Sequence, residues 1–483
     1  MDENMNLNPN EDVQPAPPQR RRRKRSKWQI FKEAYLPVVI AGAALILCVS
    51  FVVGSVSRGK KPDTNTPGTS TEPSFDAAEL LQKEAETLLA DAEKLVAMYD
   101  YEGAMKLLNS YSGGISTNET LMAKYTEYHD AYEAMVPWGN INDVPNLSFR
   151  LLMADLSRAL ADPDYGNSFN SNYVTTGEFE KILNELYNNG YMLVSVYDLA
   201  AKTADANGNV TMAQNTLRLP EGKKPIVLTQ VGVNYFTYIV DGDGDGLADK
   251  DGAGFASRLV LDENGNLTNE MVDAMGNVVT GSFDLVTVLN DFVAQHPDFS
   301  YRGARAILGM TGYEGVFGYR TKPAYEDDLG TEAYKKECED AKAVAQCLRD
   351  HGWILASHSY GHPSYGNISA EKVASDSDKW EQTVQPIIGD CDIILYPNGS
   401  DIAGIGKYTF DNAKFAALYE DGYRYFYNVD SHIAWQQLGE DYFRGGRRNL
   451  DGYRMWHTPK KVADLFNVDE VFDPDRPTPV PSL

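Results

Sequence analysis

The chain has 483 residues, enough for two or three domains. It carries 44 Lys and Arg against 69 Asp and Glu, a net charge of −25. That balance argues against a nucleic-acid surface on the bulk of the protein and suits a soluble body near divalent cations.

The positive charge is concentrated at the start. Arg20-Arg21-Arg22-Arg23-Lys24-Arg25-Ser26-Lys27 follows a Pro-containing lead, and residues 1–35 read as a basic cytoplasmic tail. Residues 36–56 hold no charged side chain. That length spans a hydrocarbon core of about 30 Å. Lys and Arg before the span predict a cytoplasmic N-terminus and an extracellular remainder. A cleaved signal has a shorter lead and a shorter apolar core, so a single-pass anchor in the cell membrane is the expectation. Beside a membrane, the basic run is explained by topology or anionic lipid rather than nucleic acid. Residues 57–74 are rich in Gly, Lys, Pro, Thr and Ser and read as a flexible linker.

Residues 75–136 follow a helical rhythm, with Leu80, Leu81, Leu88, Leu89, Leu95 and Val96 at helical spacing. The stretch from Tyr99 to Leu108 looks like half of a tetratricopeptide-type hairpin. One copy makes no solenoid, so a helical stalk is expected.

From residue 137 to 460 the pattern alternates. Strands are predicted at 147–153, 192–196, 225–229, 305–310, from Trp353, and at 393–396 and 423–429. Helices are predicted at 176–189, 284–295, 332–351, 369–388 and 412–421. This order implies a parallel sheet, most economically closed as an α/β barrel. Sites in such barrels lie at the C-terminal strand ends. Residues 461–483 are left as a C-terminal tail. Cys48 lies in the span, and Cys338, Cys347 and Cys391 have no metal-like spacing; one bridge or buried free thiols fit equally.

Two stretches suggest cations. The strand from Trp353 ends in His358 and His362, two of only seven histidines. Imidazoles four apart suit zinc or a similar divalent metal, or are ordinary hydrogen-bonded residues. In an insert at 241–252, Asp241, Asp243, Asp245 and Asp249 alternate with Gly242, Gly244 and Gly246. Carboxylates at these positions converge on calcium in tight loops, although Gly252 stands where a bidentate acid is usual. The alternative is a solvated Asp-Gly turn. Residues 205–209 and 262–266 read as hairpin turns.

In order, several segments resemble the polysaccharide deacetylase (NodB-homology) family. They are Tyr173 to Phe179, Leu186 to Tyr191, Ser357-His358-Ser359-Tyr360-Gly361-His362, Leu395-Tyr396-Pro397-Asn398-Gly399, and Val429-Asp430-Ser431 with Trp435. The resemblance implies a distorted (β/α)7 barrel and metal-dependent removal of N-acetyl groups from a cell-wall or capsule glycan, a polysaccharide or peptidoglycan-type polymer. It implies His358 and His362 as metal ligands and Tyr396, Asn398 and Trp435 as substrate contacts. The family's Asp-Asp pair aligns with Val231 and Gly232, which offer neither a base nor a ligand. Asp430 is the first candidate to replace the missing acid; orienting its own loop is the other role open to it. A catalytically degenerate relative that binds glycan is the competing expectation.

Overall fold

The computed structural model describes residues 77–204, 210–430 and 434–482. The segments expected as basic tail, anchor (with Cys48) and linker lie outside them, as do residues 205–209 and 431–433. No helix among the described residues is long and apolar enough to cross a membrane.

Three helices, Ala77–Val96, Tyr101–Leu108 and Glu119–Glu133, form the N-terminal helical segment. Their apolar contact residues, Ala92, Ala104, Leu108, Leu121 and Tyr128, make a separate core. Asp100 caps the second helix by accepting from the Gly103 amide. The segment is seated on the barrel rather than free of it. Arg302 ion-pairs with Asp100 and Glu102, and its amide donates to the Met98 carbonyl.

Seven parallel strands close a barrel. Going round, they are Lys224–Val231, Ile307–Met310, Ile354–Ser357, Ile393–Leu395, Tyr425–Val429, Phe443–Asn449 and Asn146–Phe149, which returns to Lys224–Val231. The sequence expectation of seven strands thus holds in number, with one member exchanged. The predicted 192–196 strand is Tyr191–Leu193 and pairs outside the ring, on Lys224–Val231. Ser195 stops it by capping a short helix from Val196. The ring is completed by Phe443–Asn449, a strand with two glycines and three arginines that no apolar pattern announces.

Alternation of side chains divides the packing in two. Val227, Ile307, Ala356, Leu395, Tyr427 and Phe443 fill the barrel interior, with Val231 against them. Leu147, Phe149, Leu228, Leu308, Met310 and Leu355 face outward and lie under the helices. The helix Thr176–Asn188 starts one residue earlier than its first Thr suggests: Thr175 is the cap, and Glu178 completes a capping box. Glu178 is fully buried because Arg476 pairs with it, so the C-terminal residues are packed into the body. Residues 262–266 form the predicted hairpin turn, between Arg258–Leu261 and Leu267–Val272. Cys338, Cys347 and Cys391 are free thiols.

Candidate functional site at the barrel mouth

His358 directly follows the strand Ile354–Ser357, at the C-terminal end where the sequence places it. The turn that brings His362 back is tight. Ser359 and His362 both adopt positive φ, 65° and 52°, which costs non-glycine residues energy. Asp376 holds the turn by accepting from the amides of Tyr360 and Gly361, each at 2.8 Å. The result faces the two imidazoles toward each other, with Nε2 to Nε2 at 3.2 Å. His358 Nδ1 lies 2.7 Å from the Leu395 carbonyl, which can only accept. The proton therefore sits on Nδ1, and Nε2 carries the lone pair.

Burial holds both imidazoles neutral. His358 is pushed well below its ordinary value by burial, then by His362, Arg447 and Arg150. His362 is pushed down to about 4 by burial, then by Arg150 and Arg447. The charged neighbours of the pair are thus arginines.

Strand parity explains the arginines. Ser148 and Arg150 alternate with the outward Leu147 and Phe149, so they face the interior. Arg447 alternates with the outer Arg444 and Arg448 and shares the inner face with Phe443. Arg447 is buried, and burial pushes its guanidinium down to about 9. It donates to the carbonyls of Asn428 and Tyr396 at 3.3 and 3.1 Å, and to Ser148 Oγ at 3.4 Å. Arg150 is exposed and lies over the Tyr173 ring, 5.5 Å from its centroid.

The implied metal can be tested against this donor set. Zn–N bonds of about 2.05 Å across the 3.2 Å gap subtend about 103°, near tetrahedral, so the bite of the pair is suitable. The rest is not. Among the described residues no carboxylate or thiol joins the histidines within 4.8 Å. Val231 occupies the adjacent space. A Cβ on Gly309 would lie 3.4 Å from His358 Cβ, 3.5 Å from Val231 Cγ1 and 2.8 Å from Leu395 Cδ1. Gly232 has φ of 74° and no side chain to offer. Two neutral nitrogens between two guanidinium groups do not fit a dication that needs a third, anionic ligand.

Among the described residues, Asp430 is not part of any group of acids and histidines whose ligand atoms lie within 4.8 Å of one another. Its amide donates to the Arg447 carbonyl, and its carboxylate accepts from Trp435 Nε1 at 2.8 Å. It follows the inward Val429 and so faces outward, against Gly446. Asp430 and Trp435 instead line a separate cavity of about 570 Å³ with Ile141, Asn142, Gln214 and Arg444. The adjoining Ser431 and His432 lie outside the described residues.

The other expected contacts are dispersed. Tyr396 is fully buried, and its hydroxyl accepts from Tyr408 at 3.1 Å, so its ring has no free face for a sugar. Its carbonyl serves Arg447. Asn398 is exposed at φ of 54° and donates to Ser364 Oγ at 3.2 Å. In the Asp loop, Asp241, Asp243 and Asp249 bring oxygens within 4.8 Å of one another. Asp245 stands apart from that group and accepts from the Leu247 amide at 2.8 Å. Burial works against the charge of Asp249, but the amides of Asp251, Gly242, Gly252 and Asp243 hold its carboxyl below the ordinary value.

Sequence reasoning missed Arg447. The signal available was Arg444-Gly445-Gly446-Arg447-Arg448, whose paired glycines admit Gln436 and Trp435 at close quarters.

No protein-family model and no curated protein matches this sequence. A solved structure of a Streptococcus pyogenes deacetylase, PplD, in complex with acetate aligns with 69% of this chain and 99% of its own. The identity is 13% and the TM-score 0.34. A likeness at that level assigns neither residues nor activity.

Proposed function

We propose that this chain is a membrane-anchored, outward-facing barrel that binds a cell-wall or capsule glycan without hydrolysing its N-acetyl groups. The observation that carries this reading is the environment of His358 and His362. Val231 and two arginines stand beside them, and Gly232 carries no side chain, where metal-dependent deacetylation needs a carboxylate ligand and a carboxylate base. The sequence resemblance puts hydrolysis first; the donor set reverses that order. The cavity beside Trp435 supports binding. It is lined by Trp435, with Arg444 over the indole ring, and by the amides of Asn142 and Gln214, groups suited to contact and hydrogen bonding with a pyranose. The uncharged span at 36–56 behind a basic run supports the anchor and its orientation. Calcium in the loop of Asp241, Asp243 and Asp249 belongs to the same reading, as a structural ion.

The test uses the purified full chain with an N-acetylglucosamine oligomer, with and without added zinc or cobalt. Acetate release is expected at the blank rate, while calorimetry detects binding that Trp435→Ala weakens about tenfold. Acetate release that His358→Ala abolishes would overturn the reading in favour of hydrolysis.

A further inference from the structure

The described residues contain four buried arginines: Arg444, Arg447, Arg448 and Arg476. Three have a carboxylate partner. Arg444 meets Asp401 at 3.3 Å, Arg448 meets Asp464 at 2.8 Å, and Arg476 meets Glu178. Arg447 has none; its acceptors are two carbonyls and one hydroxyl. Five N–H groups serve three acceptors. A buried guanidinium with no counter-charge is costly, and the other three show how this fold normally removes that cost.

The uncompensated charge has a direction. Arg447 faces the barrel interior, and Arg150 faces the same mouth from the neighbouring strand. Ser148 connects them, accepting from Arg447 and lying two residues before Arg150 on the same face. His362 closes the other side and, being partly exposed, is reachable from outside. His362 Nε2–H is donated to the His358 Nε2 lone pair at 3.2 Å, a bond that an incoming oxyanion can replace. No described acid is ion-paired with Arg150 or Arg447; Asp451 acts on Arg150 only at longer range.

We propose that the mouth binds an oxyanion, the carboxylate or phosphate group of an acidic glycan, between Arg150 and His362 and over the charge of Arg447. Guanidinium and oxyanion pair through charge-assisted hydrogen bonds, strongest where water is excluded. The residues implied by resemblance as a cation site thus form an anion site. This inference rests on the glycan-binding reading and gives the glycan its charge.

The experiment is calorimetry on the full chain with inorganic phosphate and with acetate. Three tetrasaccharides follow: neutral N-acetylglucosamine, carboxylated galacturonate and a phosphorylated neutral sugar. At least one acidic oligomer is expected to bind ten times more tightly than the neutral one. Arg150→Gln removes that advantage and leaves neutral binding unchanged. Raising salt from 50 to 500 mM weakens only the acidic oligomers. Whichever acidic oligomer prevails distinguishes carboxylate from phosphate. Equal binding of all three oligomers, unaffected by Arg150→Gln, overturns the anion site and leaves glycan binding standing. Binding of phosphate or acetate through Arg150, with no oligomer bound, overturns the glycan reading alone. Silence throughout overturns both. Arg150 is exposed, so its variant folds; circular dichroism checks that.

Discussion

Replacing Arg447 with Met separates a charge kept for a ligand from a charge kept for the fold. Arg476→Met is the internal reference. Glu178 and Arg476 are both fully buried, so removing the arginine strands a carboxylate in the core. Breaking such a pair costs about 3–5 kcal/mol. Arg447→Met strands no carboxylate. It gives up three hydrogen bonds, to Asn428, Ser148 and Tyr396, each worth about 0.5–1.5 kcal/mol net. It also relieves an uncompensated buried charge, a gain of similar size. The expected net is about 0–1 kcal/mol, several-fold below the reference. Chemical denaturation monitored by fluorescence measures both. A second arm adds phosphate. At about 100 times its Kd a ligand stabilises the wild type by about 2.7 kcal/mol, and Arg447→Met should lose most of that increment. If Arg447→Met costs as much as Arg476→Met, and phosphate moves neither protein, the arginine is a structural strut and the reasoning fails.

The remaining predictions concern the acids and the histidines. Val231→Asp with Gly232→Asp supplies the carboxylates that the His358–His362 pair lacks, so equilibrium dialysis should show zinc retained by the double variant and lost again with His358→Ala. Position 232, at φ of 74°, costs that variant about 1–3 kcal/mol in backbone strain. On acidification, His362 is neutral when folded, with its value depressed to about 4. The unfolded chain takes up its proton first, near pH 6.5, so stability is full above that pH and falls as pH drops toward 4. The loss is roughly 2–3 kcal/mol after allowing for partial exposure. His362→Asn should flatten the stability curve across that window; an unchanged slope assigns the titration elsewhere. Calcium at about 100 times its Kd should raise stability by roughly 2.7 kcal/mol. Asp243→Asn should remove the effect, and a melting temperature indifferent to a chelator counts against calcium in the loop.

Elements with an apolar rhythm were legible in sequence because their packing follows it. Leu228, Ile307, Leu308, Leu355, Ile393 and Phe426 are the alternating or continuous apolar positions, and all are buried in strands. The helix from Leu285 to Gln295 and that from Thr331 to Asp350 match their predicted extents within a residue or two at each end. The closing strand Phe443–Asn449 was not legible for a physical reason. Its inner and outer faces are built from arginines whose burial depends on partners remote in sequence, Asp401, Asp464 and the carbonyls of Asn428 and Tyr396. Hydropathy scores such a segment as surface. The histidine turn was legible as a position but not as an environment. Which charges surround it is set by strand parity and register, and those follow only once the closing strand is known.

The parity of that strand also accounts for Val231 and Gly232. In register, Val231 pairs with Gly309, and Phe149, the residue before Arg150, pairs with Gln230. A carboxylate at Val231 would therefore stand beside Arg150, with Arg447 across the same mouth. At about 4 Å and an effective dielectric near 20, one such contact is worth about 4 kcal/mol before desolvation. It would hold the guanidinium and close the mouth to any external anion. Val231, with no charge, leaves both arginines available, and Gly232 adds no side chain to cover them. The absent acids and the unpaired arginine are thus one feature: at the point where resemblance implies a cation held by carboxylates, this barrel keeps positive charge at its mouth, with Asp451 acting on Arg150 at longer range and no described acid ion-paired to either arginine.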